Sequence, residues 1–127
     1  MIRNRQVHLD FHTNGTLPVG KKFSKEQFQA ALKLGHVDSI TVFSKCHHGW
    51  SYHPTEVNEM HPTLSFDLLG AQLEACKEIN HIPFLDVSVA ISIANIPPNK
   101  HDGIINDFNF LFKSSFLEKY NIAIKII

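Results

Sequence analysis

Lys45-Cys46-His47-His48-Gly49-Trp50-Ser51-Tyr52-His53-Pro54 gathers most of the chemistry-bearing side chains of this chain. It follows an apolar, β-branched run, Ile40-Thr41-Val42-Phe43, that reads as a buried strand. Two adjacent His, a Lys, the single Trp and a Tyr therefore meet where a strand ends and a loop begins. In strand–helix repeats that edge is where binding sites are built. His ring nitrogens serve hydroxyl groups, and Trp and Tyr present flat faces to sugar rings or other planar ligands. Ordinary loop polarity is the competing reading of the same residues.

A second constellation is His8-Leu9-Asp10-Phe11-His12. Side chains alternate along a strand, so His8, Asp10 and His12 share one side, and Val7, Leu9 and Phe11 the other. Three such groups can ligate a metal or line a hydrogen-bonded barrel interior. No further ligand motif completes a metal set, so neither metal nor cofactor is expected. By the same alternation Lys45 and His47 share a side of the second strand, with Cys46 and His48 opposite. Trp50 and Tyr52 either stack on a ligand or pack the loop onto the scaffold. Glycoside hydrolysis needs two carboxyl groups across the scissile bond. The available ones are Asp10, Glu56, Glu59, Asp67 and Asp86, and no spacing marks a pair. There is no nucleophile elbow and no phosphate loop.

The elements that must position these groups alternate. Gln6 to His12 reads as a short strand. Ser24 caps a helix over 24–34, with Gln27 completing the capping box, Phe23 and Phe28 forming a hydrophobic staple, and Gly35 ending it. Val37 to Cys46 is the second strand. A connection of twenty residues, 47–66, is far longer than the usual strand-to-helix loop of about 2–6, which points to function. Asp67 caps a second helix over 67–79, and Ile82 to Ser92 is a third, mostly apolar strand. This order implies a parallel sheet with right-handed crossovers, as the opening of a (β/α)8 barrel or as a small doubly wound sheet. The tail 93–127, broken by Pro97-Pro98 and dominated from Asn95 by Ile, Asn, Phe and Lys, is atypical; a helix over 107–120 and a strand over 122–127 are its readable elements, as an ordinary final helix–strand unit or as a tail foreign to the fold.

The chain has 127 residues, twelve Lys plus Arg against twelve Asp plus Glu, and nine His. That size accommodates one domain with a real core. A balanced charge without basic stripes argues against nucleic acid and anionic membranes as partners. Cys46 and Cys76 are too few for a disulfide framework and read as free thiols. With no signal peptide and no membrane span legible, the expected location is cytoplasmic.

Arg5-Gln6-Val7-His8-Leu9-Asp10-Phe11-His12-Thr13, followed by Ser39-Ile40-Thr41-Val42-Phe43-Ser44-Lys45-Cys46-His47-His48-Gly49-Trp50, resembles the N-terminal part of hypothetical glycosyl hydrolase family six. That group is related to the α-L-fucosidases of glycoside hydrolase family 29. The resemblance covers roughly residues 5–83. It implies a (β/α)8 barrel acting on glycosides, in which a His ending the first strand and a His pair after the second bind sugar hydroxyls. His12 matches the first. The fucosidase pattern reads Lys-His-His-Asp-Gly-Phe, so His47 carries over directly and His48 only with a shift of one position. The nucleophile and acid of that family lie on later strands, and nothing here matches them. A barrel of this kind needs about 250 residues.

The chain therefore reads as the N-terminal fragment of a glycosidase-type barrel. Its expected substrate-binding residues are His12, His47, His48, Trp50, Tyr52, Lys45 and Asp10. It carries no catalytic pair. Its expected partner is a carbohydrate, and the open edges of a partial sheet invite self-association. Two other readings compete. Leu9-Asp10-Phe11-His12-Thr13 also resembles the opening of the polymerase-and-histidinol-phosphatase phosphoesterases, although Asp10 replaces the first His of that metal motif. The other is a non-catalytic binding remnant.

Overall fold

The computed structural model describes residues 4–9, 11–56, 58–79, 86–91 and 123–126. Among the described residues the elements in chain order are β1 (Gln6–His8), α1 (Lys25–Leu34), β2 (Ser39–Lys45), α2 (Leu68–Glu78), β3 (Asp86–Ile91) and β4 (Ala123–Ile126). The expected helix over 107–120 lies outside the described residues.

The strands form one parallel sheet in the order β1-β2-β3-β4. Space thus repeats chain order. A doubly wound sheet instead reverses its order at a switch point and carries helices on both faces. Here one face of β2, carrying Ile40 and Val42, packs with Leu32 of α1 and with Leu69, Leu73 and Cys76 of α2. Val7 and Leu9 join the same cluster, as the two-residue alternation requires. Both helices therefore cover one side of the sheet. Burial pushes the Cys76 thiol up to about 12.

Local signals explain the helices. The Ser24 hydroxyl accepts from the Gln27 N–H at 3.2 Å, and the Phe23 and Phe28 rings sit 5.7 Å apart as the staple requires. Asp67 caps α2 by accepting from the Gly70 N–H at 2.7 Å. Lys25 Nζ meets Glu78 Oε1 at 2.9 Å, and Gln29 Nε2 donates to the Ala75 carbonyl at 3.0 Å, so the helices are also joined at their surfaces. None of the described helices is long and apolar enough to cross a membrane.

Gly35 ends α1 as expected, but the left-handed geometry falls one residue later. Gly35 is the C-cap in ordinary right-handed geometry, φ −76°, and the left-handed residue is His36, φ 47°. The His36 N–H bonds the Lys33 carbonyl at 3.0 Å, and the Val37 N–H bonds the Leu32 carbonyl at 3.0 Å. This is a Schellman motif with a non-glycine residue in the left-handed position. Arg5 Nε holds the His36 carbonyl at 2.6 Å, and the Arg5 N–H binds Asp38 Oδ1 at 3.1 Å, so the motif also anchors the start of β1.

β1 is shorter than the expected 6–12. The Leu9 N–H still reaches the Thr41 carbonyl at 3.0 Å. Beyond it, side chains take over. The Tyr52 hydroxyl donates to the Phe11 carbonyl at 2.7 Å, and the His47 N–H goes to the His12 ring at 3.3 Å.

His36→Gly tests the strained motif. Relief of left-handed strain, about 1–2 kcal/mol, exceeds the extra unfolded-state entropy of glycine, about 0.5–1 kcal/mol. The variant is expected to unfold at a higher urea midpoint with an unchanged slope.

Candidate functional site

In a parallel sheet the carboxyl ends of all strands open on one edge. His12 follows β1 and His47 follows β2 at that edge. His12 Nδ1 accepts the His47 N–H at 3.3 Å, and the two ring centroids lie 4.2 Å apart. In a neutral ring an accepting Nδ1 places the proton on Nε2, which makes that nitrogen a donor.

The positions of His47 and His48 come from a turn. The Gly49 N–H bonds the Cys46 carbonyl at 3.0 Å, the Cys46 N–H bonds the Trp50 carbonyl at 3.1 Å, and Lys45 bridges Ser51 in antiparallel fashion. Gly49 is left-handed at φ 92°. This is a three-residue hairpin loop, a turn closed by a glycine bulge. His47 and His48 occupy its two corner positions, with rings 4.1 Å apart. The expected alternation, with His48 opposite His47, fails because the chain leaves extended geometry at Cys46. A register shift against β3 between Phe43 and Lys45 adds a bulge just before the turn.

From His48 the rings continue to Trp50 at 6.0 Å, and from Trp50 to His61 at 5.2 Å. His12, His47, His48 and Trp50 are half-buried, so this row borders solvent. Trp50 lies against Gly15, where a Cβ would come within 2.8 Å of the indole. The Asn14-Gly15 turn therefore sets how deep the indole sits.

Two expected site residues, Tyr52 and Lys45, are fully buried. Tyr52 stacks on Phe11 at 5.0 Å and spends its hydroxyl on the Phe11 carbonyl. It packs the loop onto the scaffold. Lys45 is 0% exposed, which rules out a solvated strand-end charge. Asp10 lies outside the described residues. Of the carboxylates, Asp67 caps α2, Asp38 pairs with Arg5 at 3.7 Å, and Glu56 and Glu59 are exposed in the loop. Asp86 opens β3 in register with Ser39, at the amino edge of the sheet. Six residues of strand, about 20 Å at ~3.3 Å each, separate that level from Lys45. Among the described residues no three His, Cys, Asp or Glu side chains gather as a metal set.

His61 escaped the sequence reading, although Pro62-Thr63 beside it marked a turn. It is buried, and its Nε2 faces the Asn14 carbonyl at 3.2 Å and Thr13 Oγ1 at 3.3 Å. Its Nδ1 accepts the Thr63 N–H at 3.3 Å. The ring thus carries its proton on Nε2 and bolts the long loop to the segment after β1. His53, also buried, donates from Nδ1 to the Pro54 carbonyl at 2.9 Å and pairs through Nε2 with Ser44 Oγ at 3.1 Å.

Burial holds His61 below the ordinary imidazole range, against the backbone contacts to Asn14 and Thr13 that favour its charge. Burial also lowers His48, with the neighbouring His47, His12 and His61 adding repulsion.

The described residues thus form a parallel α/β unit with half-buried His and Trp rings at its carboxyl edge. Among solved structures the chain is similar to α-L-fucosidase isoenzyme 2 from Paenibacillus thiaminolyticus, with 55% sequence identity and a TM-score of 0.66. The match covers 74% of this chain and 14% of that one. The chain is thus related to the α-L-fucosidases over its N-terminal part, and it spans a small share of the length of the enzyme it matches. No family model matches the sequence, and no curated protein matches it.

Two outcomes follow. Gly15→Ala should push the indole outward, seen as a red shift of the single-tryptophan emission, with about 1–3 kcal/mol of stability lost to overpacking. The lowered His48 and His61 also fix the sign of a pH effect. Below about 6.5 the unfolded chain takes up protons that the folded chain resists, so stability is full above that value and declines as pH falls through the folded values. The urea midpoint should be lower at pH 5.5 than at pH 7.5, and His61→Gln should flatten that difference while lowering the midpoint at both.

Proposed function

We propose that this chain is the opening part of a glycosidase-type (β/α)8 barrel, residues 1–127 with an atypical tail from 93, and that it presents part of a sugar subsite. The observation that carries the reading is the pairing of His12 with His47 at the carboxyl ends of neighbouring parallel strands, in a chain 55% identical to a fucosidase over the match. The one-directional strand order with both helices on one face supports the barrel. His12, His47 and His48 supply ring nitrogens for hydroxyls, and Trp50 supplies a stacking face. Lys45 ends the second of these strands, Asp10 joins the subsite by the family resemblance, and Tyr52 acts beneath the subsite as its support.

Catalysis needs carboxyls about 5–5.5 Å apart for retention, or about 6.5–9.5 Å for inversion, across one sugar. The described carboxylates with assigned places cap helices, pair with Arg5 or stand on exposed surface, so these units carry binding without turnover. The metal-dependent phosphoesterase reading gains no support from the donor set. The ligand is a carbohydrate rather than nucleic acid or membrane, and edge strands of a partial sheet favour self-association.

The test is paired. Purified chain should release no nitrophenol from nitrophenyl α-L-fucoside. L-fucose should bind weakly, in the millimolar range of about −4 kcal/mol, and His47→Ala should abolish that binding. Turnover lost on His47→Ala would overturn the non-catalytic reading. Sugar binding unchanged in His47→Ala would overturn the subsite.

A further inference from the structure

Asn14-Gly15 is the one place in the chain where glycine follows asparagine. Such a pair carries an intrinsic reaction, attack of the glycine amide nitrogen on the asparagine carboxamide. Glycine has no side chain to shield that nitrogen or to restrict its approach. Asn14 is exposed to the water that completes the reaction. Among the described residues the Gly15 N–H donates to no acceptor, so the attacking nitrogen is not spent on the fold.

The fold adds a second ingredient. Asn14 Oδ1 accepts the Thr16 hydroxyl at 2.6 Å, the Thr16 N–H at 3.1 Å and the Leu17 N–H at 3.3 Å. When the Gly15 nitrogen bonds Asn14 Cγ, negative charge gathers on this same oxygen. Donors already aimed at an atom that becomes an anion lower the barrier to forming it, as in an oxyanion hole. The main-chain carbonyl of Asn14 is polarised as well, by His61 Nε2–H at 3.2 Å and the Leu17 N–H at 3.3 Å.

We propose that Asn14 is a self-modification site, which solvent water converts to isoaspartate. The Gly15 nitrogen gives its proton to hydroxide and bonds Asn14 Cγ. The Cγ–Nδ2 bond then breaks, the nitrogen takes a proton from water and leaves as ammonia, and a succinimide is closed. Water adds to the main-chain carbonyl of the imide, the one that His61 polarises, and the bond from that carbon to the Gly15 nitrogen breaks. One water is consumed and one ammonia released. The chain now runs through Cβ and Cγ, with a carboxylate where the main-chain carbonyl stood.

The change lands on the turn that seats Trp50. A Cβ on Gly15 would already come within 2.8 Å of the indole, and isoaspartate lengthens the main chain there by a methylene. The new carboxylate also stands where His61 Nε2–H had met a neutral carbonyl. The modification thus displaces one end of the ring row without any ring reacting.

The experiment holds the full chain in mildly alkaline buffer and follows the peptides containing Asn14 and Asn58 by mass spectrometry. Asn58, whose Nδ2 donates to the Gly49 carbonyl at 2.9 Å and to Ser51 Oγ at 2.8 Å, is the internal reference. The expected result is exchange of amide for acid at Asn14 and not at Asn58, with isoaspartate, detected by enzymatic methylation, as the main product. The emission of the single tryptophan should move to the red in step. In urea the same residue should convert about tenfold more slowly, and folded Thr16→Val, which lacks the hydroxyl donor on an exposed turn, should fall toward that unfolded rate. Conversion of Asn14 no faster in the folded chain than in urea overturns the proposal, and so does a rate unchanged in Thr16→Val. Mass reads the reaction directly, so the outcome is independent of whether the chain binds fucose.

Discussion

Tyr52 is where the separate pieces of this chain are tied. Its hydroxyl holds the Phe11 carbonyl at 2.7 Å, its N–H holds the Ser44 carbonyl at 2.9 Å, and its own carbonyl accepts the Leu69 N–H at 3.0 Å. One fully buried residue thus joins the chain after β1, the end of β2 and the start of α2. Buried polar groups are expensive unless paired, and here each pairing fixes a different element. The hairpin that displays His47 and His48 is clamped between β2 and Tyr52, so its geometry is inherited from this knot rather than from the loop's own preferences. A twenty-residue connection without such a tie would sample many shapes; this one is held at Tyr52 and again at His61.

The histidines divide by what their two nitrogens meet. His53 and His61 each have both nitrogens engaged within the protein, and they serve as struts. His12, His47 and His48 are half-buried and hold their rings side by side at the strand edge. Burial holds His48 below the ordinary imidazole range, with repulsion from the neighbouring rings adding to it, so its ring favours the uncharged form. Uncharged imidazoles both give and take hydrogen bonds, which is the pattern that vicinal hydroxyls present.

What was legible in the sequence was what is decided locally. Ser24 with Gln27, Phe23 with Phe28, and Asp67 before an apolar run are contacts between residues a few positions apart, and each stands where its spacing implied. The meeting of His12 and His47 also followed, because parallel neighbours must end on one edge. The shape of the site was less legible. Alternation put His48 opposite His47, but Gly49 two positions before Ser51 was the signal of a bulged hairpin, and a turn overrides strand alternation. For Tyr52 stacking on a ligand and packing onto the scaffold were both open, and only the packing of distant segments decided its burial and that of Lys45. Gly35 drew attention as the helix stop, whereas the left-handed strain fell on His36, held there by Arg5 from a strand some thirty residues earlier.

Because the order of strands in space repeats their order in the chain, this sheet is suited to assembly during synthesis. Each strand that leaves the ribosome finds its partner already made and needs no earlier strand to be displaced. At about 5–20 residues per second, the wait between one strand and the next is a few seconds, long beside the microseconds in which a helix forms. The helices that follow β1 and β2 can therefore cover the newly laid face before the next strand arrives. The vulnerable surface at any instant is then a single leading edge, and the nascent chain is protected by its own order of emergence.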